Sequence, residues 1–159
     1  MRNPERLAKA LPWFALALAA FAADQGSKAW ANSALASGWR EVTGFFNLVL
    51  LRNTGSAFSF LADAGGWQQA LFAAFAVAMC VVMAVIILKE PGNRLQAAAA
   101  ALVMGGAAGN LADRVALGAV TDFIDLHVGG FHWPAFNIAD SAICLGVFLF
   151  IVLELRKKD

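Results

Sequence analysis

The apolar run at residues 67–88, WQQALFAAFAVAMCVVMAVIIL, contains no charged side chain. A helix of about 20 apolar residues is long enough to cross the hydrocarbon core of a bilayer. Three further runs approach this length, so we predict an all-α membrane protein with four transmembrane helices. The predicted helices cover residues 11–31, 67–88, 95–113 and 138–155.

The composition indicates the same class of protein. Of the 159 residues, 60% are hydrophobic and only 14% are charged, whereas soluble domains carry about 25% charged residues. The length suits a single domain, residues 1–159. The net charge of +1 and the absence of a block of Lys and Arg predict no nucleic-acid partner. Cys80 and Cys144 lack CxxC spacing, and we interpret them as packing residues.

The Lys and Arg residues are unevenly divided between the two sets of helix ends. Eight belong to the set that includes both termini, and four to the other set. The positive-inside rule therefore puts both termini in the cytoplasm and the connections at about 32–66 and 115–136 on the outer side. Basic residues before the first run resemble a secretory signal, but the run continues through Asp24 and Lys28. We interpret it as an uncleaved first helix.

The two outer connections carry strand signals. Residues 42–51, VTGFFNLVLL, are rich in β-branched and aromatic side chains, which predicts one or two short strands. The second connection, with Gly129 and Gly130, predicts a strand–turn element. We expect a small extracytoplasmic β element that rests on the helices.

Four aspartates lie within or beside the apolar runs: Asp24, Asp113, Asp122 and Asp140. A carboxylate near hydrocarbon is costly unless it is paired or faces a polar cavity, so each is a candidate functional residue. The predicted topology brings all four to one level, the outer membrane–water interface. We therefore expect them to form one polar site.

Three kinds of hydrolytic site are compatible with such a cluster. A metal site would require ligands beyond His127 and His132, which lie in one loop without an HExxH helix, so we expect no metal. A serine paired with Lys28 is an open alternative, although no GxSxG is present. In the third kind of site, two aspartates share one water molecule. One ionised carboxylate takes a proton from water, and the other, kept protonated by like-charge repulsion, donates to the carbonyl oxygen.

Five sequence blocks occur in the order and spacing that are typical of the lipoprotein signal peptidase family. They are residues 24–28 (DQGSK), 53–58 (NTGSAF), 105–114 (GGAAGNLADR), 120–124 (VTDFI) and 136–140 (FNIAD). Over nearly its whole length the chain resembles these bacterial signal peptidases II, which are aspartyl proteases of the inner membrane. Thr121 replaces the more usual aliphatic residue before the aspartate.

The resemblance implies an aspartic endopeptidase with Asp122 and Asp140 as its catalytic dyad and no cofactor. It also implies supporting or substrate-binding roles for nine other residues: Asp24, Lys28, Asn53, Gly55, Asn110, Asp113, Arg114, Asn137 and Ala139. The implied substrates are prolipoproteins with a diacylglyceryl-modified cysteine, cut just before that cysteine. The resemblance further implies a multi-pass monomer in membrane lipid with its active site at the outer leaflet, inhibited by cyclic lipopeptides such as globomycin.

Several of these residues also have structural interpretations. Asp24 and Lys28 have the i,i+4 spacing of a helical ion pair, and Asn137 can cap the fourth helix. Asn53 and Gly55 can form a turn.

Two functional alternatives also stay open. Asp113 with Asp140 is an alternative dyad, disfavoured because Asp113 is expected to pair with Arg114. The alternative from another functional class is a proton- or cation-conducting membrane subunit, whose carboxylates would be spread through the membrane depth.

We expect Phe58, Phe136 and Trp133 to act as apolar walls of the site.

Overall fold

The computed structural model describes residues 4–55 and 66–156. Within these ranges the chain forms four helices and four strands. In chain order they are α1 (Pro4–Ala34), β1 (Arg40–Thr43), β2 (Phe46–Asn53), α2 (Trp67–Lys89), α3 (Arg94–Leu117), β3 (Val120–Val128), β4 (Phe131–His132) and α4 (Ile138–Arg156). All four helices are long and apolar enough to cross a membrane. The predicted fold class, four membrane helices with a small β element, is confirmed.

The helices extend beyond the apolar runs that predicted them. The first helix begins at Pro4, before the apolar run at residue 11, and the third ends at Leu117, a turn after Asp113. Apolar composition marks only the part of a helix that suits hydrocarbon, whereas helical hydrogen bonding continues until a terminating residue occurs. For α3 that residue is Gly118, whose φ of 67° is the left-handed conformation typical of a helix C-terminus.

Helix α3 is the centre of the bundle and packs against α1, α2 and α4. Its glycines permit very close approach. A Cβ atom on Gly105 would lie 2.5 Å from the carbonyl oxygen of Ala17 in α1, and one on Gly106 would lie 2.4 Å from that of Ala139 in α4. Small residues at such positions let helix backbones come together within a membrane.

The four strands form one antiparallel sheet in the order β1-β2-β3-β4. The first connection therefore contributes two strands and the second connection two more. Gly129 and Gly130 have φ values of 58° and 85°, as the tight turn between β3 and β4 requires. Phe123 of β3 packs on Ala31 and Leu35 at the end of α1. The sheet thus rests on the bundle at the end where α1 and α3 finish and α4 begins.

Candidate active site

Asp122 in β3 and Asp140 in the first turn of α4 are linked through asparagine amides. Asn137 Nδ2 donates to Asp122 Oδ1 at 2.7 Å, and Asn110 Nδ2 donates to Asp140 Oδ1 at 2.8 Å. Asn53 Nδ2 donates to Asp122 Oδ2 at 3.2 Å, and the backbone N–H of Asn137 donates to Asp140 Oδ2 at 3.2 Å. Each of the four carboxylate oxygens therefore accepts a hydrogen bond from a fixed donor.

Asn137 joins the start of α4 to strand β3. Its Oδ1 accepts the backbone N–H of Asp140 at 2.9 Å, while its own N–H donates back to the Asp140 carboxylate. This reciprocal arrangement is a capping box. The side-chain nitrogen of Asn137 also lies 3.2 Å from Asn110 Oδ1 and from the carbonyl oxygen of Thr121. The capping interpretation of Asn137 is thus compatible with its contact to Asp122.

Lys28 lies beneath this pair among buried carboxylates. Its Nζ is 2.8 Å from Asp24 Oδ2 and 3.3 Å from Asp113 Oδ2, and it donates to Asn110 Oδ1 at 3.0 Å. Lys28 and the two aspartates are almost completely buried. The i,i+4 pair of Asp24 and Lys28 therefore exists, but it lies inside the protein and contacts the amide that holds Asp140.

The expected pairing of Asp113 with Arg114 is wrong. Adjacent residues of a helix do not face each other, and Asp113 pairs with Lys28 instead. The guanidinium of Arg114 donates to the carbonyl oxygens of Asn110 at 3.3 Å and Gly55 at 3.1 Å. Arg114 thus holds the residues that follow β2 against α3.

Gln25 is a member of this cluster that the sequence reasoning did not single out. Its Nε2 lies 3.1 Å from Asp24 Oδ2 and 3.2 Å from Asp113 Oδ1. Gln25 stands next to Asp24 in α1, within the sequence block at residues 24–28, and that position was the available signal. It carries no charge, so a search for costly carboxylates passes over it.

Backbone amides complete the cluster. The N–H of Ala139 donates to Asp24 Oδ1 at 2.9 Å, and the N–H of Thr121 donates to Asp113 Oδ2 at 2.8 Å. Ala139 therefore contributes through its main chain, and a small side chain is needed because α3 passes so close to it. The backbone contact of Thr121 has no sequence signal, because any residue other than proline supplies the same N–H.

All nine supporting residues of the sequence analysis lie in this one network with Asp122 and Asp140. Gly55 donates its backbone N–H to Asn53 Oδ1 at 2.9 Å, which forms the turn that was one interpretation of these two residues. Phe136 is half-buried and Trp133 is exposed. Phe58, the third expected apolar wall, lies outside the described residues.

The electrostatics of Asp122 suit proton transfer. The side chain is 3% exposed. Burial, with the nearby charge of Asp140, raises the pKa of Asp122 to about 6, although hydrogen bonds from Asn53 and Asn137 and the charge of Lys28 oppose the change. A carboxyl group with such a pKa can hold a proton near neutrality and release it to a reacting atom.

The alternative of a serine paired with Lys28 finds less support. Lys28 contacts carboxylates and an amide oxygen, and in the described ranges no serine hydroxyl bonds to it. Ser27 and Ser141 instead donate to backbone carbonyl oxygens at 2.8 Å and 3.0 Å. Over the same ranges, no group of three or more His, Cys, Asp or Glu side chains is arranged to hold a metal ion. His132 pairs with Asp125 at 2.9 Å.

Comparison with known proteins agrees with this arrangement. Residues 16–156 match the family model described as signal peptidase (SPase) II. A lipoprotein signal peptidase of Janthinobacterium sp. (strain Marseille) is 48% identical over 148 residues, which cover 92% of this chain and 90% of that protein. A second, from Cupriavidus taiwanensis, is 49% identical over 92% of this chain and 84% of its own length.

A solved bacterial membrane enzyme, determined by the in meso method at 2.3 Å, superposes with a TM-score of 0.81. It is 29% identical in sequence, and the match covers 93% of this chain and 90% of that one. The resemblance proposed from the five sequence blocks is confirmed. The chain belongs to the signal peptidase II family.

Proposed function

We propose that this protein is an aspartic endopeptidase that removes signal peptides from prolipoproteins, with Asp122 and Asp140 as the catalytic pair. Family membership supports the endopeptidase activity. The observation that carries the aspartic mechanism is the pair of hydrogen-bonded asparagines, Asn137 and Asn110, that links the carboxylate of Asp122 to that of Asp140. Asp113 is the weaker candidate, because it forms a buried ion pair with Lys28, whereas within the described ranges neither Asp122 nor Asp140 forms an ion pair.

Two neighbouring carboxyl groups do not both ionise readily, so the pair holds one proton. We assign this proton to Asp122, whose pKa is raised by burial. In the proposed reaction, ionised Asp140 takes a proton from water as the water oxygen attacks the scissile carbonyl carbon. Asp122 gives its proton to the carbonyl oxygen. When the intermediate collapses, the C–N bond breaks and the proton on Asp140 passes to the leaving amine. One hydroxyl of the intermediate returns its proton to Asp122 as the carboxylic acid product forms, so the pair again holds one proton.

Lys28 is a positioning residue in this mechanism. Asn110 Oδ1 accepts from Lys28 at 3.0 Å and lies 3.2 Å from the Asn137 amide. With its oxygen engaged there, Asn110 must turn its nitrogen towards Asp140. The buried charges of Lys28, Asp24 and Asp113 therefore fix which end of the amide meets the catalytic carboxylate.

The proposed setting is the bacterial inner membrane, with both termini cytoplasmic and the catalytic pair at the outer leaflet. The distribution of Lys and Arg supports this orientation. A multi-pass monomer would then bind prolipoproteins by their diacylglyceryl-modified cysteine while the acyl chains stay in lipid. Each buried methylene contributes about 0.8 kcal/mol, so two chains would fix the depth of the peptide bond. Cyclic lipopeptides such as globomycin would compete for the same site.

The dyad is tested by the variants Asp122→Asn and Asp140→Asn. Asparagine keeps the shape of the side chain but cannot exchange the proton, so each variant should lose more than about 10²-fold in cleavage rate while staying folded. Asp125→Asn is the matched control, since Asp125 is a buried carboxylate of the same strand that binds His132. Substantial activity of purified Asp122→Asn or Asp140→Asn would refute the assignment.

Recognition of the lipid is tested with two precursors that differ only in the modification of the cysteine. The diacylglyceryl form should be cleaved far faster than the form with a bare cysteine. Equal cleavage of both in the same detergent would point to a general membrane aspartyl protease. The alternative of an ion-conducting subunit is disfavoured because the buried carboxylates cluster at one end of the bundle.

A further inference from the structure

A polar cleft lies at the end of the bundle opposite to the catalytic pair. It is bounded by the start of α1 and by the turn that joins α2 to α3, and has a volume of about 470 Å3. Arg6, Lys9 and Lys89 line it together with Glu90 and Asn93. We propose that this cleft binds the phosphodiester headgroup of an anionic phospholipid. This proposal is independent of the proposed proteolytic mechanism.

The first observation is the state of the cations. Arg6, Lys9 and Lys89 are exposed, and within the described part of the chain none of them lies within 4.0 Å of a carboxylate oxygen. Lys and Arg side chains on a membrane protein attract anionic headgroups at the bilayer surface. The cleft also contains Glu5 and Glu90, so its three cations exceed its carboxylates by one.

The second observation is that the walls of the cleft are held in place. Trp13 Nε1 of α1 donates to the carbonyl oxygen of Pro91 in the α2–α3 turn at 3.0 Å. Ala10 and Ile87, which are 1% and 0% exposed, belong to the same packed core between these helices. The cationic side chains thus project from a fixed frame and need little backbone rearrangement to bind an anion.

The third observation is the direction of α3. Asn93 lines the cleft and caps the N-terminus of α3, because its Oδ1 accepts a hydrogen bond from the backbone N–H of Gln96 at 3.3 Å. The positive end of this 24-residue helix therefore lies at the cleft. A phosphate group placed there would meet both side-chain cations and the helix dipole.

The surroundings favour a lipid over a free ion. Leu7, Leu11 and Leu88 lie on the same helices next to the cleft and are 41%, 67% and 38% exposed. A phospholipid in the cleft could lay its acyl chains along this apolar surface while its headgroup meets the cations. Inorganic phosphate would use only the polar half of the arrangement.

The test uses the full chain purified in a non-ionic detergent. Native mass spectrometry would measure how much phosphatidylglycerol and phosphatidylcholine stay bound to the wild type. The comparison is with the triple variant Arg6→Gln, Lys9→Gln, Lys89→Gln. Each cation near an anionic headgroup contributes about 1 kcal/mol, so the triple variant should bind phosphatidylglycerol on the order of 100-fold more weakly.

Arg156→Gln is the control, because Arg156 ends α4 at the same end of the bundle and does not line the cleft. It should bind phosphatidylglycerol like the wild type. Unchanged prolipoprotein cleavage would show that the triple variant is folded. If it is not folded, the single variant Lys89→Gln replaces it in the test and should bind phosphatidylglycerol roughly fivefold more weakly than the wild type.

Equal retention of the two lipids by the wild type would overturn the proposal. So would wild-type retention of phosphatidylglycerol by the triple variant. In a third arm, displacement of phosphatidylglycerol by millimolar inorganic phosphate would show a simple anion site and would also overturn it.

Discussion

Replacing Lys28 by methionine would remove the only cation that contacts Asp24 and Asp113 among the described residues. The ammonium group lies 2.8 Å and 3.3 Å from their oxygens, and the three side chains are at most 5% exposed. Methionine fills similar space but leaves two buried carboxylates without their charge partner. It also removes one of the two donors that face Asn110 Oδ1.

The expected loss of stability is large. Removal of one partner from a buried ion pair costs about 3–5 kcal/mol. For a protein of this length each kcal/mol lowers the melting temperature by about 2–4 °C, so Lys28→Met should melt about 6–20 °C below the wild type. In the fraction that stays folded, kcat should fall while KM changes little, because Asn110 can then rotate its amide away from Asp140.

Thermal unfolding in detergent, followed by tryptophan fluorescence, measures the first effect, and cleavage of a lipidated precursor measures the second. Arg40→Met is the control, since Arg40 is exposed on β1 and its loss should change stability by less than about 0.5 kcal/mol. The triple variant Lys28→Met, Asp24→Asn, Asp113→Asn should regain part of the lost stability. A melting temperature of Lys28→Met within about 2 °C of the wild type would refute the reasoning.

Three other predictions follow from the same geometry. Gly109→Ala places a Cβ 2.4 Å from Asp24 Oδ2 and should destabilise the protein by about 1–3 kcal/mol in thermal unfolding, whereas Gly26→Ala, with no atom within 4 Å, should not. Because the pKa of Asp122 is raised to about 6 from 3.8, the folded state holds more protons between these pH values and stability falls as pH rises through them. Asp122→Asn should remove this pH-dependent change in the free energy of unfolding, which amounts to about 3 kcal/mol. The plot of unfolding free energy against pH should then be flatter for the variant than for the wild type. EDTA should leave cleavage unchanged, and activity that is lost in EDTA and restored by zinc would revive a metal mechanism.

The parts of the fold that depend on composition were predictable, and the parts that depend on long-range pairing were not. Four apolar runs predict four helices because a bilayer demands about 20 apolar residues in each. The strand segments were recognisable from residues such as Val49 and from the turn at Gly129 and Gly130, but nothing local specifies that Leu51 pairs with Asp122, 71 positions further along the chain. That register depends on the two helices that separate the strands.

The candidate site was also predictable only in part: the level of its aspartates was predictable, but their contacts across helices were not. The direction of each helix was enough to bring Asp24, Asp113 and Asp140 to one end of the bundle. The partner of Asp113 was not predictable, because Lys28 approaches it from another helix while Arg114 is adjacent in sequence. Gln25 lies in the block at residues 24–28, but its contact with Asp113 comes from the packing of α1 against α3 and has no local signal.

The position of α3 at the centre of the bundle has a consequence for biosynthesis. Its surface is made largely of alanine and glycine, which lets α1 and α4 approach closely, but such a segment has few of the large aliphatic side chains that drive insertion by the translocon. We expect α3 to enter the bilayer as a hairpin with the strongly apolar α2, and to be secure only after α1 and α4 cover it. Because Asp140 lies on α4, which follows α1, α2 and α3 in the chain, the carboxylate pair cannot assemble until α4 has emerged from the ribosome and been inserted.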